Sequence, residues 1–310
     1  MGKIKIYSET CELNITRHCI LSCRACSHFS PLAKKYNMPL SMIFNDLAIL
    51  SKVFYVNHVR ILGGEPLLHQ DLKGVIKNVR RTGISDRIQV VTNGLLLWKM
   101  KDEFWENIDS VEISVYPGKE MAEEKLRLCQ EKAILYNVDF KEFYVDRFRV
   151  SYSEIGTNDK ELIQRIYNTC LIAHQWRCYS VQDGYFFKCP QSIFIPRFLR
   201  KDDFLNSFVD GIKIIDSSEF RESLTAYLES AKPLASCKYC LGSIGKLFPH
   251  GEVSRRKWRQ LQNKSTEDQI DMEYLYILES VNPKADDLCL RSHLLLPDNK
   301  KRALRYGLIA

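Results

Sequence analysis

From Leu13 to Phe140 the chain alternates short runs of Val, Ile and Leu with longer segments of helical spacing, and this alternation limits the folds open to it. Leu13-Asn14-Ile15-Thr16 reads as a strand, and Leu40 to Val53 as a helix with Met42, Leu47, Leu50 and Val53 on one face. Val59 to Leu62 is the next strand, ended by Gly63-Gly64, and Asp71 to Arg81 the next helix. Ile88 to Val91 is a third strand, closed by Thr92-Asn93-Gly94, and Val111 to Val115 a fourth, stopped by Pro117-Gly118. Lys119 to Tyr136 is helical, and Val138-Asp139-Phe140 opens a fifth strand. Such alternation gives βαβ units and a parallel sheet. Periodicity alone leaves barrel and open sheet undecided.

The pattern changes near residue 165. Arg177 to Lys188 reads as a hairpin turning at Asp183-Gly184. Ser217 to Ala231 reads as a helix, and beyond Pro249-His250-Gly251 the chain is polar and helical, Glu267 to Ser280 most clearly. We expect three parts: 1–165, 166–250 and 251–310.

No apolar stretch approaches the roughly 20 residues that span a bilayer, and the first residues lack a secretory core. A cytoplasmic, reducing setting is the expectation, and it makes closely spaced cysteines metal ligands or catalytic groups before disulfides. The chain has 11 of them, an odd number. A net charge of +7 is mild for 310 residues, so basic clusters such as Arg255-Arg256-Lys257-Trp258-Arg259 and Lys300-Lys301-Arg302 read first as solvated faces. No membrane or nucleic-acid partner is expected, whereas an anionic small molecule would be steered by a basic cleft.

Directly after the first strand comes Cys19-x3-Cys23-x2-Cys26. Three thiolates on one tight loop can take three irons of a cubane [4Fe–4S] cluster, leaving the fourth iron open. Read alone, the spacing also allows a zinc site completed by His18 or His28, or thiols without a metal. Five further cysteines, Cys170, Cys178, Cys189, Cys237 and Cys240, suit a zinc ribbon or a second cluster. Cys11, Cys129 and Cys289 read as small buried hydrophobes.

The Cys19-Cys23-Cys26 spacing after one strand and Gly63-Gly64-Glu65-Pro66 after the next together resemble the radical S-adenosylmethionine (SAM) superfamily, over roughly residues 12–145. The resemblance implies an α/β fold, a partial (β/α)6 TIM barrel. It implies Cys19, Cys23 and Cys26 as ligands of a SAM-binding [4Fe–4S] cluster, and Gly63, Gly64, Glu65 and Pro66 as contacts of SAM. Asn93, in the loop after the third strand, and Ser114, on the fourth, are weaker carry-overs to the same cofactor. One departure is Ala25, where an aromatic residue is common before the third cysteine; the ring contact then falls to His28 or Phe29. The second half resembles the small auxiliary-cluster domain called twitch, a shortened SPASM domain. This implies Cys170, Cys189, Cys237 and Cys240 as ligands of an auxiliary [4Fe–4S] cluster, with Cys178 as a strand residue or a spare ligand.

The spacing is similar to that of the twitch-type aminocyclitol dehydrogenase of butirosin biosynthesis, which oxidises a secondary alcohol to a ketone. That similarity implies hydrogen abstraction from a carbohydrate-like or aminocyclitol-like small molecule, a two-electron oxidation, and an electron donor such as flavodoxin or ferredoxin. Two other readings compete. One is a maturase of ribosomal peptides, disfavoured because too few residues precede the first strand for a winged-helix segment. The other is a non-catalytic zinc- or nucleic-acid-binding protein. No catalytic side chain is singled out; Glu142, Tyr144, Asp146 and Arg149 lie where a substrate could bind and read equally well as a solvated charged face, and the region 251–310 would cover the cleft or serve as a dimer surface.

Overall fold

The computed structural model describes residues 5–199 and 208–281. Cys289, Lys300-Lys301-Arg302 and most of the expected C-terminal part lie outside them. The elements in chain order are β1 (Ile6–Thr16), α1 (Leu40–Leu50), β2 (Phe54–Gly63), α2 (Leu72–Thr82), β3 (Arg87–Thr92), α3 (Asp102–Trp105), β4 (Ser110–Val115), α4 (Glu123–Leu135), β5 (Asp139–Tyr144) and β6 (Arg147–Arg149). There follow α5 (Lys160–Asn168), α6 (Leu171–His174), β7 (Ser180–Gln182), β8 (Tyr185–Phe187), α7 (Gln191–Leu199), β9 (Gly211–Lys213), α8 (Phe220–Glu229), β10 (Leu247–Pro249), α9 (Arg255–Gln262), α10 (Thr266–Gln269) and α11 (Met272–Val281).

One sheet runs in the order β5-β4-β3-β2-β1-β7-β8-β9, parallel from β5 through β7 and antiparallel beyond. It is an open, partial TIM-like α/β arrangement, with β5 and β9 as its edges. The sixth parallel strand is β7, which takes the free side of β1 with Glu12 opposite Ser180. Strand β6, next in sequence after β5, instead pairs with β10 in a separate two-stranded sheet.

Alternation places Cys11, Leu13 and Ile15 of β1 in the main apolar core, with Ile43, Leu47 and Leu50 of α1 and Val75, Ile76 and Val79 of α2. On the other face of the sheet Arg60 donates to Gln89 at 2.8 Å and pairs with Glu112 at 2.8 Å and Glu12 at 3.7 Å. Helix α2 starts where the Asp71 carboxylate accepts from the Gly74 amide and stops at left-handed Gly83.

Several helices are shorter than their spacing suggests, and for two of them the reason is visible. Helix α4 starts only at Glu123, because Lys119 closes a turn onto the Tyr116 carbonyl. The stretch Glu267–Ser280 is broken into α10 and α11. Ile270 is extended there, the Asp271 amide donates to the Ile244 carbonyl, and the Asp271 carboxylate caps α11 by accepting from Tyr274.

Candidate active site

The three-cysteine loop leaves β1 at Thr16 and is held by the end of β2. The Gly64 amide donates to the Thr16 carbonyl and the Glu65 amide to the His18 carbonyl, both at 2.9 Å. A Cβ on Gly63 would stand 2.2 Å from the Thr16 oxygen, and one on Gly64 2.2 Å from the His18 oxygen. Only glycine permits this approach. The adjoining Glu65 side chain is wholly buried. It accepts from the Thr92 hydroxyl at 2.6 Å, the Asn93 amide at 2.9 Å and the Leu67 amide at 3.1 Å, tying β2 to β3.

A cavity of about 780 Å3 opens beside the loop. Its wall includes Cys19, Cys23, Cys26, Gly63, Gly64, Asn93 and Ser114, which the structure therefore brings to one place. Glu65 and Pro66 are not on that wall. The Asn93 side-chain amide reaches the Cys19 sulfur at 3.7 Å, and the Leu21 amide reaches it at 3.4 Å. Ala25 sits in left-handed backbone, φ 54°, and is buried. Phe29 packs among Tyr152, Phe198 and Trp258 and is not on the wall, whereas His28 is.

Burial pushes the Cys19 thiol up to about 12 and raises those of Cys23 and Cys26 as well. The influences that lower them are hydrogen-bond donors, none of them a cation. Three thiolates gathered here need positive charge from a bound group, as an iron–sulfur cluster supplies. Among the described residues no three His, Cys, Asp or Glu side chains converge on a single metal ion. One zinc ion with bonds of about 2.3 Å needs its sulfurs roughly 4 Å apart, whereas a cubane seats each cysteine on a different iron. The donor set thus fits a cluster.

Cys170 at the start of α6, Cys189 after β8 and Cys240 are buried and Cys237 is half-buried, and their thiols lie within electrostatic reach of one another. The Asp210 carboxylate shapes the last pair's turn by accepting from the Ala235 amide at 2.6 Å and the Ser236 amide at 2.8 Å. Cys178 is turned toward Glu12 and Arg60, though Cys170 and Cys189 are near it too.

Sequence reasoning missed the segment after β10 that returns to the first loop. Beside Cys23, the Arg24 amide donates to the Gly251 carbonyl at 2.8 Å, the Val253 amide to the Ser22 carbonyl at 3.0 Å, and the Ser22 amide to the Glu252 carboxylate at 2.8 Å. The buried Trp258 indole donates to the Cys23 carbonyl at 3.0 Å. His250 reaches the Cys23 sulfur with Nε2 at 3.2 Å and stacks on Tyr116 at 4.5 Å. Pro249-His250-Gly251 carries no spacing that announces this contact. The opposite wall of the cavity was missed too: Arg147, Ser151, Gln191, Glu273 and Tyr274 line it. Of the four residues placed near a substrate, only Arg149 is on that wall, its guanidinium over the Tyr274 ring at 4.1 Å; Glu142 and Tyr144 border a smaller cavity of about 160 Å3.

Residues 13–130 match the family model described as the radical SAM superfamily. A probable GTP 3′,8-cyclase of Methanococcus vannielii is 32% identical over 92 residues, 30% of this chain and 31% of the relative. A putative glycyl-radical enzyme activating enzyme of Methanocaldococcus jannaschii is 28% identical over 135 residues, 43% of this chain and 50% of the relative. The chain thus spans about a third to a half of the length of these curated relatives. Among solved structures, BtrN in complex with AdoMet and 2-DOIA matches with a TM-score of 0.39 at 11% identity, over 93% of this chain and 95% of that one. No described helix is long and apolar enough to cross a membrane. The family's cofactors are a [4Fe–4S] cluster and SAM, and the residues gathered at the end of β1 suit both. The match to the radical SAM superfamily thus falls on residues 13–130, the stretch that holds the three-cysteine loop, Gly63-Gly64 and Asn93.

Proposed function

We propose that this radical SAM protein is an oxidoreductase acting on a small polyhydroxylated molecule, with Cys19, Cys23 and Cys26 holding the SAM-binding cluster and Cys170, Cys189, Cys237 and Cys240 an auxiliary one. Gly63, Gly64, Asn93 and Ser114 face SAM; Glu65 and Pro66 act by positioning that wall. When bound, the two clusters and SAM would supply hydrogen-atom abstraction and a one-electron acceptor, the chemistry by which a secondary alcohol, losing also its hydroxyl proton, becomes a ketone.

One observation carries the substrate reading: the cavity that holds the three cysteines also holds buried polar atoms without a partner. They are His28 Nε2, Ser151 Oγ and Gln191 Oε1. Buried polar groups are nearly always paired, and a small rotation of these side chains on the cavity wall would turn the unpaired atoms to a ligand's hydroxyls. Burial pushes the His28 imidazole down to about 4, so it is neutral and pairs with hydroxyls without adding charge. Leu21, Leu62 and Leu171 on the same wall exclude water. Arg147 at the exposed rim suits an anionic substituent. A donor of the flavodoxin or ferredoxin type in a reducing, cytoplasmic setting completes this reading. Residues 166–250 form its auxiliary domain.

Iron and sulfide quantification on anaerobic protein tests it. Combining Cys19→Ala, Cys23→Ala and Cys26→Ala should remove about four irons and leave the others, because the two sites use separate cysteines. The parent should release 5′-deoxyadenosine from SAM with dithionite. Loss of all the iron or none, or no 5′-deoxyadenosine, would refute the proposal.

A further inference from the structure

We propose that His250 is a positioning residue that sets the reduction potential of the cluster on the three-cysteine loop, by donating an Nε2–H hydrogen bond to the Cys23 sulfur. The inference rests on the cluster assignment above and adds to it a role for a residue more than two hundred positions from the motif.

The contact is built. Strand β10 pairs with β6, with Pro249 opposite Arg147, and the His250 amide donates to the Asp146 carbonyl at 2.8 Å. The chain then runs antiparallel along the loop, Glu252 opposite Cys23. Glu252 is held from its other side by Lys119 at 2.6 Å. The imidazole is clamped between Tyr116, stacked at an interplanar angle of 13°, and Phe148, edge-on at 5.1 Å. With the ring so held, Nε2 lies 3.2 Å from the sulfur.

A cluster-bound thiolate only accepts hydrogen bonds, so the proton of this contact sits on Nε2. Reduction adds negative charge to the cluster, and a donor at a ligand sulfur stabilises that charge. Hydrogen bonds to the sulfurs are among the levers that set such potentials. His250 therefore makes the cluster easier to reduce. The Asn93 amide and the Leu21 amide act on Cys19 in the same sense, but at 3.7 and 3.4 Å. The contact to Cys23 is the shortest of the three.

The test is an EPR-monitored redox titration of the reconstituted full chain and of two variants. His250→Phe keeps a ring between Tyr116 and Phe148 and removes the donor; His250→Gln keeps a donor without the ring. At the potential that half-reduces the parent's SAM-binding cluster, His250→Phe should show a reduced-to-oxidised ratio about tenfold lower, about 59 mV for one electron. His250→Gln should fall between the two. Pulsed EPR of the parent should also detect an exchangeable proton coupled to the cluster that is absent from His250→Phe. A potential unchanged in both variants overturns the role of His250 while leaving the cluster in place. A parent that holds no reducible cluster overturns both readings.

Discussion

A methyl group on Gly64 would stand 2.2 Å from the His18 carbonyl oxygen and 2.5 Å from its carbon, so the backbone itself would have to move. That carbonyl immediately precedes Cys19 and accepts the Glu65 amide. Gly64→Ala should therefore displace the cysteine loop as well as destabilise the fold, by about 3 kcal/mol, the upper range for overpacking that cannot be relieved by a rotamer change. Chemical unfolding of the apo protein and iron content after reconstitution check the two parts separately. A variant with parental stability and parental iron would show that the loop does not depend on this approach. The glycines are legible in sequence as residues that let backbone come close. What comes close is the chain's own strand end as well as the cavity. Glu65 was not legible in the same way, because a motif gives residue order and not the side on which a carboxylate lies. Its bonds to Thr92 and Asn93 exist only once β2 and β3 are adjacent.

The elements that carry the site were legible where a local signal exists and missed where a distant partner decides. The Asp183-Gly184 turn forms as its residue types dictate, with both at positive φ. The break in the last helix at Ile270-Asp271 depends on the Ile244 carbonyl, which no local pattern contains. The basic run Arg255–Arg259 becomes α9, with Trp258 turned inward to the cysteine loop and Arg255 bonded to the Leu32 carbonyl. Helix α1 meets the hairpin through Asp46, whose carboxylate accepts from the Gly184 amide at 2.9 Å. Burial raises that carboxyl from 3.8 to about 6, although the Gly184 amide opposes the shift. A group raised by folding adds stability that is complete below about pH 3.8 and lost as pH rises through about 6. Asp46→Asn keeps the acceptor oxygen and removes the titration. Between pH 4 and pH 7 the parent should lose about 2 kcal/mol relative to Asp46→Asn. Urea unfolding at both pH values reads this difference, and a constant gap would mean that Asp46 does not titrate in this window.

At the scale of the whole molecule the two halves share one sheet. The division near 165 follows the change in sequence pattern, but β7 lies beside β1, the strand that delivers the three-cysteine loop. Val181 and Phe186 of the hairpin are fully buried in the core that also contains Leu13, Phe54 and Ile61. Burying each such side chain contributes about 1.5–3 kcal/mol. Asp183 adds a polar tie: it accepts from Arg17 at 2.7 Å, Tyr36 at 2.6 Å and Arg197 at 2.9 Å, the first two in the first half and the third in the second. The Cys23 loop is held in turn by residues 250–258. Because the halves share one core and the second holds the cysteine loop of the first, the apo chain should unfold as one cooperative unit. Hydrogen exchange by mass spectrometry across a urea series checks this, comparing peptides that cover β2 and β3 with peptides that cover β7 and β8. Protection should vanish from both at the same urea concentration. Loss from β7 and β8 at a distinctly lower concentration, with β2 and β3 still protected, would make the second half a separate unit docked on a finished first one. The interlock also explains why the spacing of each cysteine group can be read alone while the wall between them cannot. Ser151, Gln191 and Tyr274 reach that wall from the loop after β6, from α7 and from α11, segments brought together by the closing of the chain on itself.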